Sequence, residues 1–186
     1  MQHEVLICEN RQHAVNHGQN YLIDFPYLFA LKRRCCSSVG RQIASQPQTV
    51  SIAPHCESET LVMHELGHVM GFWHEQSRPD RDDYVEVFEE NIEDTKLFNY
   101  DKKGADVVDS LGEPYDYYSI MHYHDAAFIK SDKNQTMRPT KCCPNPKIGH
   151  AITPSAGDIR QANKLYSCPC KLSCGCHIYP NVPAFQ

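Results

Sequence analysis

Residues 64–75 read HELGHVMGFWHE, and no other stretch constrains the chain as tightly. His64 and His68 are four residues apart, so a helix through them puts both imidazoles on one face, one turn above the other. Two neutral ring nitrogens so placed can hold one Zn²⁺ at ~2.0–2.1 Å. Glu65 lies one step round the same helix, where its carboxylate can take a proton from a zinc-bound water instead of binding the ion. Gly71 then decides where the chain goes. A helix continuing past it would carry His74 away, whereas a glycine accepts the reversal that brings His74 back as third ligand. Three protein ligands leave a fourth position for water, the arrangement of a catalytic zinc and not of a closed structural one. Zinc can bring the pKa of its water from 15.7 to roughly 7 and can polarise a peptide carbonyl, so amide hydrolysis follows. A plainer reading, surface histidines that bind nothing, suits a bare HExxH but not the added Gly71, His74 and Glu75.

With 186 residues the chain fits one domain with a sizeable core. Its net charge of −5 gives no basic footprint for nucleic acid or anionic lipid. No run approaches the ~20 apolar residues of a membrane span. Ten cysteines point to an oxidising, extracellular compartment. Asn134 in NQT is an N-glycosylation acceptor, which agrees with secretion. The opening MQHEVLICEN has no apolar signal core, so an amino-terminally incomplete domain is expected.

Along the chain, NYLIDFPYLF at 20–29 predicts a strand ending near Phe25, because Pro26 interrupts it. QTVSIA at 48–53 predicts a second strand. Ser58 caps a helix that runs through ETLVMHELGHVM and stops at Gly71. Residues 84–98 show helical periodicity, and 99–150 read as mostly irregular. Ser155 with Asp158 three residues on forms a capping box that opens a last amphipathic helix.

HELGHVMGFWHE resembles the zinc motif of the metzincins, and Glu75 after the third histidine is the mark of the astacin family. SIMHY at 119–123 resembles that family's Met-turn. RPDRDDYV at 78–85, EPYDYYS at 113–119 and DIRQANKLYSC at 158–168 agree. CCSSVGR at 35–41 and SLGEPYDYYSIMHY lean toward the tolloid and procollagen C-proteinase subgroup. The resemblance covers residues 19–168.

It implies an α+β zincin-like fold: a small twisted sheet and the active-site helix above a cleft, then a mostly irregular lower subdomain with one C-terminal helix. Residues 1–169 would form the catalytic domain, lacking part of its amino-terminal sheet and helix. Residues 170–186 would form a cysteine-rich tail or the start of a further module. The resemblance makes Met121 a packing residue beneath the histidines and Tyr123 a displaceable fifth zinc ligand that also donates to the oxyanion. Glu75 would engage the amino terminus freed by propeptide removal. It pairs Cys8 with Cys168, and Cys35 or Cys36 with Cys56, and leaves Cys142, Cys143, Cys170, Cys174 and Cys176 unassigned. His122 is expected to pack and His124 to face solvent. His3, His13, His17, His55, His150 and His177 carry no ligand spacing. Asp80 to Asp83 read as a solvated turn. KIGHAITPS at 147–155 holds no arginine, and Lys147 and Arg160 are the nearest basic residues, so no acidic preference at the cleavage site is expected.

Together these give a secreted zinc endopeptidase with one Zn²⁺ per chain, acting on extracellular proteins, peptides or precursors. His64, His68, His74 and Tyr123 are its metal ligands, and Glu65 and Tyr123 its catalytic residues. A zinc-binding but inactive interaction module is the alternative. Oligomeric state is not set by the sequence.

Overall fold

The computed structural model describes residues 28–30, 35–42, 48–54, 57–141 and 146–168. The fold is α+β. Strand β1 (Leu28–Ala30) pairs in parallel with β2 (Thr49–Ser51), Leu28 opposite Thr49. A lone antiparallel bridge joins Cys36 to Ser51. Among the described residues the first strand follows Pro26, at Leu28, and the strand expected to end near Phe25 falls outside them. Residues 20–27 lie outside the described ones.

Helix α1 (Glu59–Val69) starts where Ser58 Oγ accepts the Leu61 N–H at 3.2 Å. It ends in a tight turn, with Gly71 N–H donating to the His68 carbonyl and Phe72 N–H to that of Gly67. Gly71 has φ +107°, a conformation that side chains resist, so the helix stops where the glycine predicts. Val62 and Val69 pack α1 against Val50 and Ile52.

The segment expected to be helical from 84 to 98 is a correction. It forms strand β3 (Val85–Val87) followed by short 3₁₀ turns. Strand β3 pairs antiparallel with β4 (Met137–Pro139), Val85 opposite Pro139. Val85 is buried on the core side while Glu86 points out to Arg138, a period of two that the apparent helical spacing concealed. Apart from β4, residues 99–150 form no helix or strand longer than a turn among those described, as expected. Their core is aromatic: Tyr100, Tyr115, Tyr117, Tyr123 and Phe128 pack with Ile92, Met137 and Ile148.

Helix α2 (Ala156–Leu165) opens with the expected reciprocal capping box: Asp158 N–H donates to Ser155 Oγ, and Ser155 N–H to Asp158 Oδ2. Cys168 beyond it is free and exposed, which overturns its expected bridge to Cys8. Cys8, Cys56 and the tail from residue 169 lie outside the described residues.

Candidate metal centre

His64 and His68 come from successive turns of α1, and His74 arrives from the segment that Gly71 turns back. His64 Nε2 and His68 Nε2 each lie 3.2 Å from His74 Nε2, and the three nitrogens fall within 4.8 Å of one another. Ligands ~2.0–2.1 Å from a tetrahedral zinc are separated by about 3.3–3.4 Å, so the spacing suits that ion.

Hydrogen bonds aim the rings. His64 Nδ1 donates to the Ile120 carbonyl at 2.7 Å, and His68 Nδ1 to the Phe72 carbonyl at 2.8 Å. Donation from Nδ1 assigns the proton there and leaves each Nε2 as a lone pair facing inward. A proton on His74 Nε2 could satisfy one of these lone pairs but not both. A cation at the centre satisfies all three, so the donor set fits a metal such as zinc. Burial supports the neutral, ligating form: it pulls His64 down to about 4 and His68 down to about 3, and His74 well below its ordinary value.

Glu65 is fully buried, and neither carboxylate oxygen has a partner among the described residues. Ser37 Oγ donates at 2.7 Å to its backbone carbonyl, not to the carboxylate. Burial pushes the carboxyl up to about 7, with the nearby Ser37 opposing the rise. A dication held by the histidines would oppose it further. An orphaned carboxylate beside three converging lone pairs is costly unless something binds between them.

Tyr123 lies on the other side, its ring 4.3 Å from that of His74 and in contact with Phe128 and Tyr100. Burial first, then Tyr100 and Glu65, raise its phenol well above 10, so it stays a donor. Met121 is buried against α1: a Cβ built on Gly67 would fall 2.5 Å from its sulfur. The turn that carries it hangs from α2. Asp158 accepts from Ser119 Oγ at 2.6 Å and from Ile120 N–H at 2.9 Å, and Ile120 in turn receives His64.

Glu75 is buried, and its Oε1 accepts from Arg78 at 3.1 Å and from the Asp116 N–H at 2.8 Å. Burial pushes this carboxyl too up to about 7, against the pull of Arg78. The amino terminus expected to meet it lies outside the described residues. His122 packs as expected: its Nδ1 donates to the Tyr123 carbonyl and its Nε2 accepts from Tyr115 hydroxyl. His124 is half-buried instead of free in solvent, with Nδ1 accepting the Ala126 N–H. The Asp80–Asp83 turn is more structured than expected. Arg78 grips Asp80 through two nitrogens, and Asp82 meets Arg81 and Lys102.

Two residues that sequence reasoning passed over stand out. Gln76 is fully buried and accepts the Tyr123 N–H at 3.1 Å. Arg81 spans the Gln76 and Tyr100 carbonyls at 3.1 and 2.7 Å. Their places in HEQSRPDR gave no hint, because their partners lie elsewhere in the chain.

The profile of the astacin peptidase family matches residues 9–167. The chain is 47% identical over 138 residues to zinc metalloproteinase nas-39 of Caenorhabditis elegans, covering 72% of this chain and 14% of that protein. It is 46% identical over 143 residues to bone morphogenetic protein 1 of Xenopus laevis, covering 76% and 20%. The chain thus spans a fifth or less of either of these relatives. Among solved structures it is similar to high choriolytic enzyme 1, a hatching enzyme zinc-protease of the medaka Oryzias latipes. The TM-score there is 0.70 and the identity 37%, over 76% of this chain and 68% of that one.

Proposed function

The chain belongs to the astacin family of zinc metallopeptidases, and on that premise we propose that it is a secreted endopeptidase acting on extracellular proteins or precursors. His64, His68 and His74 hold one zinc ion per chain, Glu65 is the general base and then the general acid, and Tyr123 steadies the oxyanion. The observation that carries this reading is the convergence of the histidine lone pairs beside the partnerless carboxylate of Glu65.

When bound, zinc supplies Lewis acidity that polarises the scissile carbonyl and lowers the pKa of a coordinated water to roughly 7. Glu65, desolvated and without a competing hydrogen bond, is free to take the attacking water's proton. It then gives that proton to the departing amine nitrogen, so the proton count closes without bulk solvent. Tyr123 keeps its phenolic proton and donates it as a hydrogen bond to the charge that develops on the carbonyl oxygen. As a further zinc ligand before substrate enters, it would reach that role by turning its ring aside. Gly67 and Met121 keep the floor beneath the histidines filled, so the ligands hold their angles.

Secretion is supported by the ten cysteines of the sequence and by an exposed Asn134 in its NQT sequence. Glycosylation there must precede folding, since Thr136 is fully buried and bonded to the Asp125 carbonyl.

Glu65→Gln tests the mechanism. It should bind zinc as the native chain does, yet lose at least about a thousandfold in kcat on a quenched peptide. Unchanged kcat would remove Glu65 from the chemistry. No cleavage by the native chain, with one equivalent of zinc bound, would favour the inactive module instead.

A further inference from the structure

Tyr123 sits in no strand or helix, yet both polar groups of its backbone are held by side chains. Its N–H donates to Gln76 Oε1 at 3.1 Å, and its carbonyl accepts from His122 Nδ1 at 2.7 Å. His122 is fixed in turn by the Tyr115 hydroxyl at 2.8 Å. Gln76 is fixed through its own backbone, whose carbonyl receives Arg81.

Gln76 is the unusual half of this clamp. It is fully buried, and its Nε2 has no partner among the described residues. Only the carbonyl end of the amide is used, because the Tyr123 N–H demands an acceptor and so settles which atom is oxygen. A buried amide donor left unpaired costs about 1–3 kcal/mol. An apolar side chain of the same shape would avoid that cost but leave the Tyr123 N–H unpaired at a similar one, so the two offset and stability alone does not single out glutamine. What glutamine adds is the acceptor. A buried glutamate would offer it too, at the greater cost of desolvating a charge.

From this we infer that Gln76 is a positioning residue for Tyr123. It anchors the backbone from which the phenol swings, so that the ring moves by side-chain rotation between its place against His74 and the developing oxyanion. Without the anchor, the Cα of Tyr123 drifts and the hydroxyl misses its target, while the histidine cage is untouched. The inference rests on the catalytic role proposed for Tyr123.

The test is a cycle on the zinc-loaded full chain: native, Gln76→Met, Tyr123→Phe and the double variant, with kcat and KM measured on one quenched peptide. Gln76→Met matches the shape of glutamine, lacks the acceptor and trades the orphaned amide donor for an unpaired Tyr123 N–H. It should keep its melting temperature and zinc content, and lose roughly 10–100-fold in kcat with little change in KM. In the Tyr123→Phe background the same substitution should cost almost nothing, because there is no hydroxyl left to place. Gln76→Glu, checked for folding by its melting temperature, should recover most of the lost kcat. Equal losses in both backgrounds, loss of zinc in Gln76→Met, or no recovery in a folded Gln76→Glu would overturn the assignment. Full activity in Tyr123→Phe alone would instead remove the role of Tyr123, and the single variant reads that separately.

Discussion

Gly67 and Gly149 both leave room for something else, but what fills the room differs. A Cβ on Gly67 would fall 2.5 Å from the sulfur of Met121, a side chain that can rotate away. A Cβ on Gly149 would fall 2.1 Å from the backbone nitrogen of His124, next to Tyr123, which cannot. Gly149 also has φ +68°, so alanine there adds strain of about 1–3 kcal/mol to the overlap. For Gly67→Ala the helical preference for alanine, about 1 kcal/mol, offsets part of an overpacking cost of about 1–3 kcal/mol. Gly149→Ala should therefore cost about 3 kcal/mol or more and Gly67→Ala less than about 2. Combining Gly67→Ala with Met121→Ala should not add their separate costs, since one relieves the other. Denaturant unfolding of Gly149→Ala, Gly67→Ala, Met121→Ala and the double variant checks the order and the non-additivity, and a milder Gly149→Ala would mean that the 123–124 backbone can yield.

Both helices were legible in the sequence because their ends obey local rules: Ser58 and Gly71 for α1, and the Ser155–Asp158 box for α2. The convergence of the three histidines was legible for the same reason, as they fall within one helix and the turn after it. Strands β3 and β4 were not, because Val85 finds its partner only at Pro139 and nothing near residue 85 announces it. Gln76 was hidden likewise, its partner lying 47 residues on. Asp158 shows the limit most plainly. The sequence identifies it as a cap, but the structure also hangs the Ser119–Ile120 turn from it, and through Ile120 the ring of His64. Ser155→Ala should cost only a cap, about 1 kcal/mol, and keep zinc. Asp158→Ala should cost about 3 kcal/mol, since it leaves the Ser119 hydroxyl and the Ile120 N–H buried and unpaired. It should also weaken zinc retention roughly 10–100-fold against a chelator. Equal zinc loss in the two variants would show that the helix start alone, and not the carboxylate, supports the ligand.

Each described strand is three residues long, and the described apolar core is divided. One part is the aromatic cluster around Tyr100, Tyr115 and Tyr123, and another lies between α1 and β2. Sheets this short close few ladder bonds, so the molecule depends on ties between its parts. The histidine cage is one of them. Its rings join α1 to the segment after Gly71, and the Nδ1 bonds of His64 and His68 reach the Ile120 and Phe72 carbonyls. An ion that binds the folded cage and not the unfolded chain adds stability with its concentration, about 2.7 kcal/mol at a hundredfold excess over Kd. Stripping zinc with a chelator should therefore lower the melting temperature, and back-titration should restore it in steps that follow saturation. Glu65→Gln should show the same gain, because it leaves the ligands intact. His74→Ala should lose most of it, because the ligand that closes the turn is gone. A melting temperature that ignores zinc would show that the cage is already rigid without its ion, and the inward-facing lone pairs would then need some other partner to hold them together.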